Sequence, residues 1–141
     1  MKIIYISSDH AGFNLKQHLI SFLQNKKLKI FDLGTNSADK VDYPIYAHKV
    51  AKKVKMHKKN VGILVCGSGT GMCITANKHK NIRAAQCFSV KSTKLSRLHN
   101  DANIITLGSR LLSKKKACSF VSIFLNTKFE GGRHQKRIRR I

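Results

Sequence analysis

The chain of 141 residues is long enough for one domain with a hydrophobic core and short for two, so we expect a single domain over residues 1–141. Its apolar residues come in short runs, which excludes a membrane-spanning helix, and no signal-peptide pattern is present, so we expect a cytoplasmic location. The net charge of +22 favours anionic ligands, whether polyanions or phosphorylated small molecules.

Short, β-branched apolar runs alternate with helical patterns along the chain. The predicted strands are residues 3–6, 28–33, 61–65, 82–88 and 103–108, and the clearest predicted helices are 13–24, 46–57 and 116–129. Several strands are apolar on successive residues, which is typical of strands buried on both faces of a parallel sheet. The alternation therefore predicts an α/β fold with helices on both sheet faces. After two glycines the chain ends in a basic segment, residues 131–141.

Candidate functional residues lie near the predicted ends of these strands, because ligands of parallel sheets collect at the carboxyl edge. Asp9 and His10 follow the first strand, CGSGTG follows the third, and Arg110 follows the fifth. His99, Asn100 and Asp101 come just before the fifth strand, and we expect them at the same edge. A lone histidine is more often structural, so for His10 and His99 both interpretations remain open.

The segment CGSGTG, residues 66–71, resembles a phosphate-binding loop but fits neither familiar motif. A P-loop needs a lysine at the helix start, and none occurs before Lys78; a dinucleotide fingerprint needs a different glycine spacing after the first strand. The three glycines still allow backbone N–H groups to face an anion or a developing oxyanion.

Cys66 stands beside these glycines, where a thiolate could act as a base or a nucleophile. The alternative is a small buried residue that ends a strand. The remaining cysteines, Cys73, Cys87 and Cys118, we interpret as structural. With no CxxC or HxxxH spacing we expect free thiols, no metal site and no cofactor.

Five segments in order, SSDHAGFNLK, DYPIYA, CGSGTGMCITANK, SRLHNDANIITLGSR and FEGGRHQKRI, resemble the type B ribose-5-phosphate isomerases. Their family also holds the allose and galactose 6-phosphate isomerases. The resemblance implies a three-layer α/β/α Rossmann-like fold with a five-stranded parallel sheet. It also implies a homodimer or homotetramer with the site near a subunit interface. The implied reaction is a metal-free aldose–ketose isomerisation through an enediolate, as in the pentose phosphate pathway.

The resemblance also implies roles for individual residues. Cys66 matches the catalytic base and His99 the proton donor that assists ring opening. The matched substrate contacts are Asp9, His10, Gly67, Ser68, Gly69, Thr70, Gly71, Asn100 and Arg110, and Arg133 and Arg137 match the pair that binds the phosphate.

Two alternatives stay open. Within the same family, the substrate could be a six-carbon sugar phosphate, allose 6-phosphate or galactose 6-phosphate. From a different class, the charge and the basic C-terminal segment suggest a nucleic-acid-binding module. No helix-turn-helix, zinc-finger or RNA-recognition signature accompanies that charge, so we expect no specific nucleic-acid partner.

Overall fold

The computed structural model describes residues 2–141 and contains a parallel sheet between two layers of helices. The strands are β1 (Ile4–Ser8), β2 (Ile30–Asp32), β3 (Val61–Cys66), β4 (Ala84–Gln86) and β5 (Ile104–Gly108). The helices are α1 (Phe13–Gln24), α2 (Tyr43–Val54), α3 (Thr70–Ala76), α4 (Val90–Asn100), α5 (Lys114–Asn126) and α6 (Arg133–Ile138). The predicted α/β/α fold with five parallel strands is confirmed. None of the helices in residues 2–141 combines the length and the apolar character that crossing a membrane requires.

Some element boundaries differ from the expected ones. Helix α2 begins at Tyr43, three residues before the expected start, because Pro44 is well suited to a first helical turn, where no intrahelical bond needs its missing N–H. Strands β2 and β4 keep only three residues each of the longer apolar runs. Both lie at the outer edges of the sheet, where each pairs with one neighbour only.

The strand order is β2-β1-β3-β5-β4. The chain therefore departs in opposite directions from β1 and β3, and a crevice forms where the loops after these two strands separate. The register pairs Ser8 with Val65 and Cys66 with Gly108, so the loops that follow β1, β3 and β5 leave the sheet at nearly the same level.

Both faces of the central strands are buried. Ile63 belongs to the core formed with α1 and α5, and its neighbour Leu64 belongs to the core formed with α2 and α3. This two-sided burial explains why the third predicted strand is apolar on every residue.

The basic C-terminal segment forms a short helix. Gly131 and Gly132 adopt positive φ angles of 72° and 57°, which glycine accepts at low cost, and α6 begins directly after them. The helix packs against α4 and buries His134.

Candidate active site

Cys66 ends β3 at the carboxyl edge of the sheet, and its side chain is buried. The backbone N–H of Gly69 donates a hydrogen bond to Cys66 Sγ over 3.1 Å, which fixes the sulfur at the start of the glycine loop. Gly69 has a φ of 81°, and a Cβ there would lie 3.0 Å from the backbone of Leu107. The loop can follow this path beside the thiol only because position 69 is a glycine.

Residues from three other segments support the glycine loop. The Arg110 guanidinium lies over Gly67, where an added Cβ would be 2.9 Å from Arg110 Nη1. Gln86 Nε2 donates hydrogen bonds to the Ser68 carbonyl over 2.7 Å and to Thr70 Oγ1 over 3.0 Å.

The ring of Tyr43 covers the end of the loop, since a Cβ on Gly71 would lie 2.5 Å from Tyr43 Cζ. No role for Tyr43 or Gln86 was predicted from the sequence. The only available signal was that Tyr43 lies within the motif DYPIYA.

Asp9 and His10 occupy the neighbouring loop after β1. Asp9 is buried, and its Oδ1 accepts a hydrogen bond from the Gly12 N–H over 3.0 Å. His10 Nδ1 lies 3.2 Å from the Val41 nitrogen and 3.3 Å from the Val41 carbonyl oxygen, so the main chain of Val41 holds this edge of the ring. The carboxylate, the imidazole, the thiol and Arg110 therefore share the carboxyl edge, and we call them, with the glycine loop, the carboxyl-edge group.

The expectation that His99, Asn100 and Asp101 lie at the same edge is wrong for a single chain. Helix α4 runs back from the end of β4 to the start of β5, so its last residues lie at the amino edge. The Gly62 N–H, at the start of β3, donates to the carbonyl of Asn103, which confirms this location. The five residues of β5 separate the two edges by about 13 Å.

Arg133 and Arg137 lie on α6 beside the end of α4, and with His99 and Asn100 they form what we call the amino-edge group. The ring of His134, on α6, stacks on that of His99 with centroids 4.1 Å apart. Burial lowers the pKa of His134, and His99, Arg133 and Arg137 lower it further, with Glu130 acting in the opposite direction.

Glu130 and His134 also lie at the amino edge, beside the amino-edge group, and no role was predicted for them from the sequence. Their four-residue spacing was a weak signal, because it is common among residues that share only a helix face. Donor atoms of His99, Glu130 and His134 lie within 4.8 Å of one another.

The other three thiols lie in α3, directly after β4 and in α5. Burial raises the pKa of Cys73, Cys87 and Cys118, which keeps these thiols protonated near neutral pH. This agrees with the structural role expected for them.

A buried thiol against a glycine loop, at the crevice of a parallel α/β sheet, is typical of an α/β protein that binds a small ligand at the carboxyl edge. Residues 4–141 match the family model described as Ribose/Galactose Isomerase, and the chain belongs to this family.

Relatives and solved structures agree with this assignment. The chain is 42% identical to ribose-5-phosphate isomerase B of Escherichia coli over 100% of its own length and 95% of the relative's. It superposes on ribose-5-phosphate isomerase B of Clostridium thermocellum with a TM-score of 0.96, at 43% identity, covering 99% of this chain and 94% of the other. The enzyme of Mycoplasma genitalium with bound ribulose 5-phosphate gives a TM-score of 0.95 at 42% identity, covering 99% and 93%.

Proposed function

We propose that this protein interconverts ribose 5-phosphate and ribulose 5-phosphate through an enediolate, without a metal ion, as a step of the pentose phosphate pathway. The observation that carries the proposal is the buried Cys66, whose sulfur lies 3.1 Å from the Gly69 amide at the mouth of the glycine loop. Family membership and the ribulose 5-phosphate bound to the Mycoplasma genitalium relative support the choice of substrate.

In this proposal the Cys66 thiolate removes the proton from C2 of the open-chain aldose. The C–H electron pair forms the C1–C2 double bond, and the carbonyl electrons move to O1. The backbone N–H groups of residues 67–71 stabilise the developing negative charge. Cys66 then returns the proton to C1, O1 takes up a proton, and O2 loses its own as the ketone forms at C2.

The other carboxyl-edge residues bind the sugar. Asp9 and His10 contact hydroxyl groups, with Ser68 and Thr70 beside them on the glycine loop. Arg110, which already covers Gly67, supplies positive charge next to the enediolate. These assignments use groups that are held by backbone hydrogen bonds and so need little reorganisation on binding.

The amino-edge group supplies ring opening and phosphate binding. His99 donates a proton to the ring oxygen of the furanose, the bond from C1 to that oxygen breaks, and the C1 hydroxyl loses its proton to water. Asn100 contacts the substrate, and Arg133 and Arg137 bind the phosphate through their planar guanidinium groups.

The site is assembled from two copies of the chain, in a homodimer or a homotetramer. A pentose phosphate is too short to reach both edges of one sheet, which the length of β5 keeps about 13 Å apart. In an assembly with twofold symmetry, the amino-edge group of one copy meets the carboxyl-edge group of its partner, and the reverse contact forms a second identical site.

Replacing Cys66 tests the central assignment. Cys66→Ala is expected to lower kcat at least about 100-fold, because no other group takes the proton from carbon. Cys118→Ala, which removes a buried thiol of α5, is the matched control and is expected to keep wild-type turnover. Comparable turnover in Cys66→Ala and the wild type, with both folded by circular dichroism, would exclude Cys66 as the base.

A six-carbon substrate is the second candidate, because the description of the matching family, Ribose/Galactose Isomerase, names a six-carbon sugar beside ribose. We expect kcat/KM to be higher for ribose 5-phosphate than for allose 6-phosphate or galactose 6-phosphate. The reverse order would assign this protein to six-carbon substrates while leaving the roles of Cys66 and His99 intact.

A further inference from the structure

Three ionisable side chains meet where α6 packs against the end of α4. Glu130 Oε2 lies 3.6 Å from His99 Nε2 and 3.7 Å from His134 Nε2, and the two imidazole rings are within 12° of parallel. The Glu130 N–H donates to the Leu98 carbonyl over 3.0 Å, which holds the segment before α6 against α4. His134 is 5% exposed, and its Nε2 has no hydrogen-bond partner within residues 2–141.

We infer that Glu130 and His134 are positioning residues for His99. The carboxylate holds the Nε2 edge of the His99 ring, and the buried His134 ring supports its face. The inference rests on the proposed function, in which His99 donates a proton to the sugar ring. A carboxylate on one ring nitrogen orients the imidazole and leaves the other nitrogen free to meet a substrate.

The charges around the cluster determine where a proton resides. Stacked rings 4.1 Å apart cannot both be cations without strong repulsion. Burial lowers the pKa of His134, and Arg133 and Arg137 on α6 act in the same direction, so His134 stays neutral. When His99 is protonated, its ring faces the Glu130 carboxylate, and the opposite charges attract.

The distance between Glu130 Oε2 and His99 Nε2 can shorten to that of a hydrogen bond. At 3.6 Å the His99–Glu130 separation is longer than a hydrogen bond. Glu130 has about half of its side chain exposed and His99 about a third, so both can rotate. His134 is buried and keeps its place, which makes it the fixed support against which the other two move.

The same three groups do not form a converging metal site. The lone pair of an imidazole nitrogen lies in the plane of its ring, and the two rings lie in nearly parallel planes. An ion bound at about 2.0–2.1 Å from both nitrogens would have to lie in both planes at once. The stacked arrangement therefore favours support of His99 over chelation.

The titration of His99 provides a test that does not depend on turnover. In the full-length protein, NMR of labelled imidazoles follows each histidine with pH, and His99→Gln identifies the His99 signal. Glu130→Gln is expected to shift the His99 midpoint to lower pH, because the imidazolium loses its counter-charge. Asp39→Asn, which changes net charge equally at an exposed site, is the control and is expected to leave the midpoint unchanged.

Kinetics of the same variants complete the test. Glu130→Gln is expected to lower kcat about tenfold with KM within about twofold, since phosphate binding is untouched. His134→Ala is expected to lower kcat similarly, and His134→Phe, which restores an aromatic support, to recover most of that loss.

Several outcomes would overturn the inference. One is an unchanged His99 midpoint in Glu130→Gln. Another is tight, stoichiometric Zn²⁺ binding that both Glu130→Gln and His134→Phe abolish, which would make the cluster a metal site. Full turnover in His99→Gln would instead refute His99 as the proton donor, and the titration alone would then decide whether Glu130 and His134 hold its ring.

Discussion

Lys16 of α1 and Asp32 of β2 form an ion pair in which the lysine side chain is fully buried and the carboxylate is partly exposed. Cys66 follows a strand and precedes three glycines, so its place at the carboxyl edge could be predicted from the chain order alone. The burial of Lys16 was not predicted from the sequence: its side chain is fully buried, and its Nζ lies 2.6 Å from Asp32 Oδ2. That burial depends on where β2 lies relative to α1, which helical periodicity does not specify.

The Lys16–Asp32 pair leads to a prediction about stability. Asp32→Asn leaves a buried ammonium without its counter-ion, and we expect it to lower the free energy of unfolding by about 2 kcal/mol. Lys16→Met is expected to cost less, about 1 kcal/mol or below, because Asp32 is 31% exposed and water can solvate it. Urea denaturation of both variants measures the difference. A larger loss in Lys16→Met would contradict this account.

Helix α4 illustrates how well whole elements could be predicted. Its start is fixed by Ser89, whose hydroxyl accepts from the Ser92 N–H, and it ends at Asp101, which adopts a positive φ of 44°. The alternation of strands and helices predicts a helix between the fourth and fifth strands, and the direction of that helix follows from the parallel sheet. A helix that connects two parallel strands must return the chain to the amino edge of the sheet. This constraint is enough to place His99, at the end of α4, at the amino edge.

The packing of α6 against α4 gives a pH-dependent contribution to stability. His134 has a pKa below its ordinary value, chiefly because it is buried in the folded state. In the unfolded chain it titrates near 6.5, so below that pH the unfolded state binds more protons than the folded state. The contribution of His134 is therefore complete above about pH 6.5 and is lost as the pH falls towards its folded pKa.

The variant His134→Phe isolates this effect. It keeps an aromatic ring against His99 but cannot titrate, so its Tm is expected to fall less than that of the wild type between pH 7.5 and 5. Thermal unfolding followed by circular dichroism across this range provides the measurement. Equal pH dependence in the two proteins would show that His134 titrates alike in both states.

At the scale of the whole molecule, the sequence predicted the layers and the sheet but not the strand order. The strand order depends on which strands β2 and β4 pair with, and the short apolar runs of β2 and β4 do not specify their partners. The distance between the two groups of site residues follows from the same topology. The family resemblance implies a site near a subunit interface. The positions of α4 and α6 at the amino edge supply a physical reason to propose a site that two copies of the chain share.

The proposed assembly of the site from two copies of the chain makes a quantitative prediction for mixed subunits. Cys66→Ala and His99→Gln are each expected to be inactive alone, but a dimer of one with the other contains one site with both residues intact. Refolding an equal mixture yields about half mixed dimers with one working site of two, so about a quarter of wild-type activity is expected to return. Mixing Cys66→Ala with Arg110→Ala is the control, because both changes affect the carboxyl-edge group and every site keeps a defect. Recovery in the control, or none in the first mixture, would place the complete site within a single chain or in a different arrangement of copies.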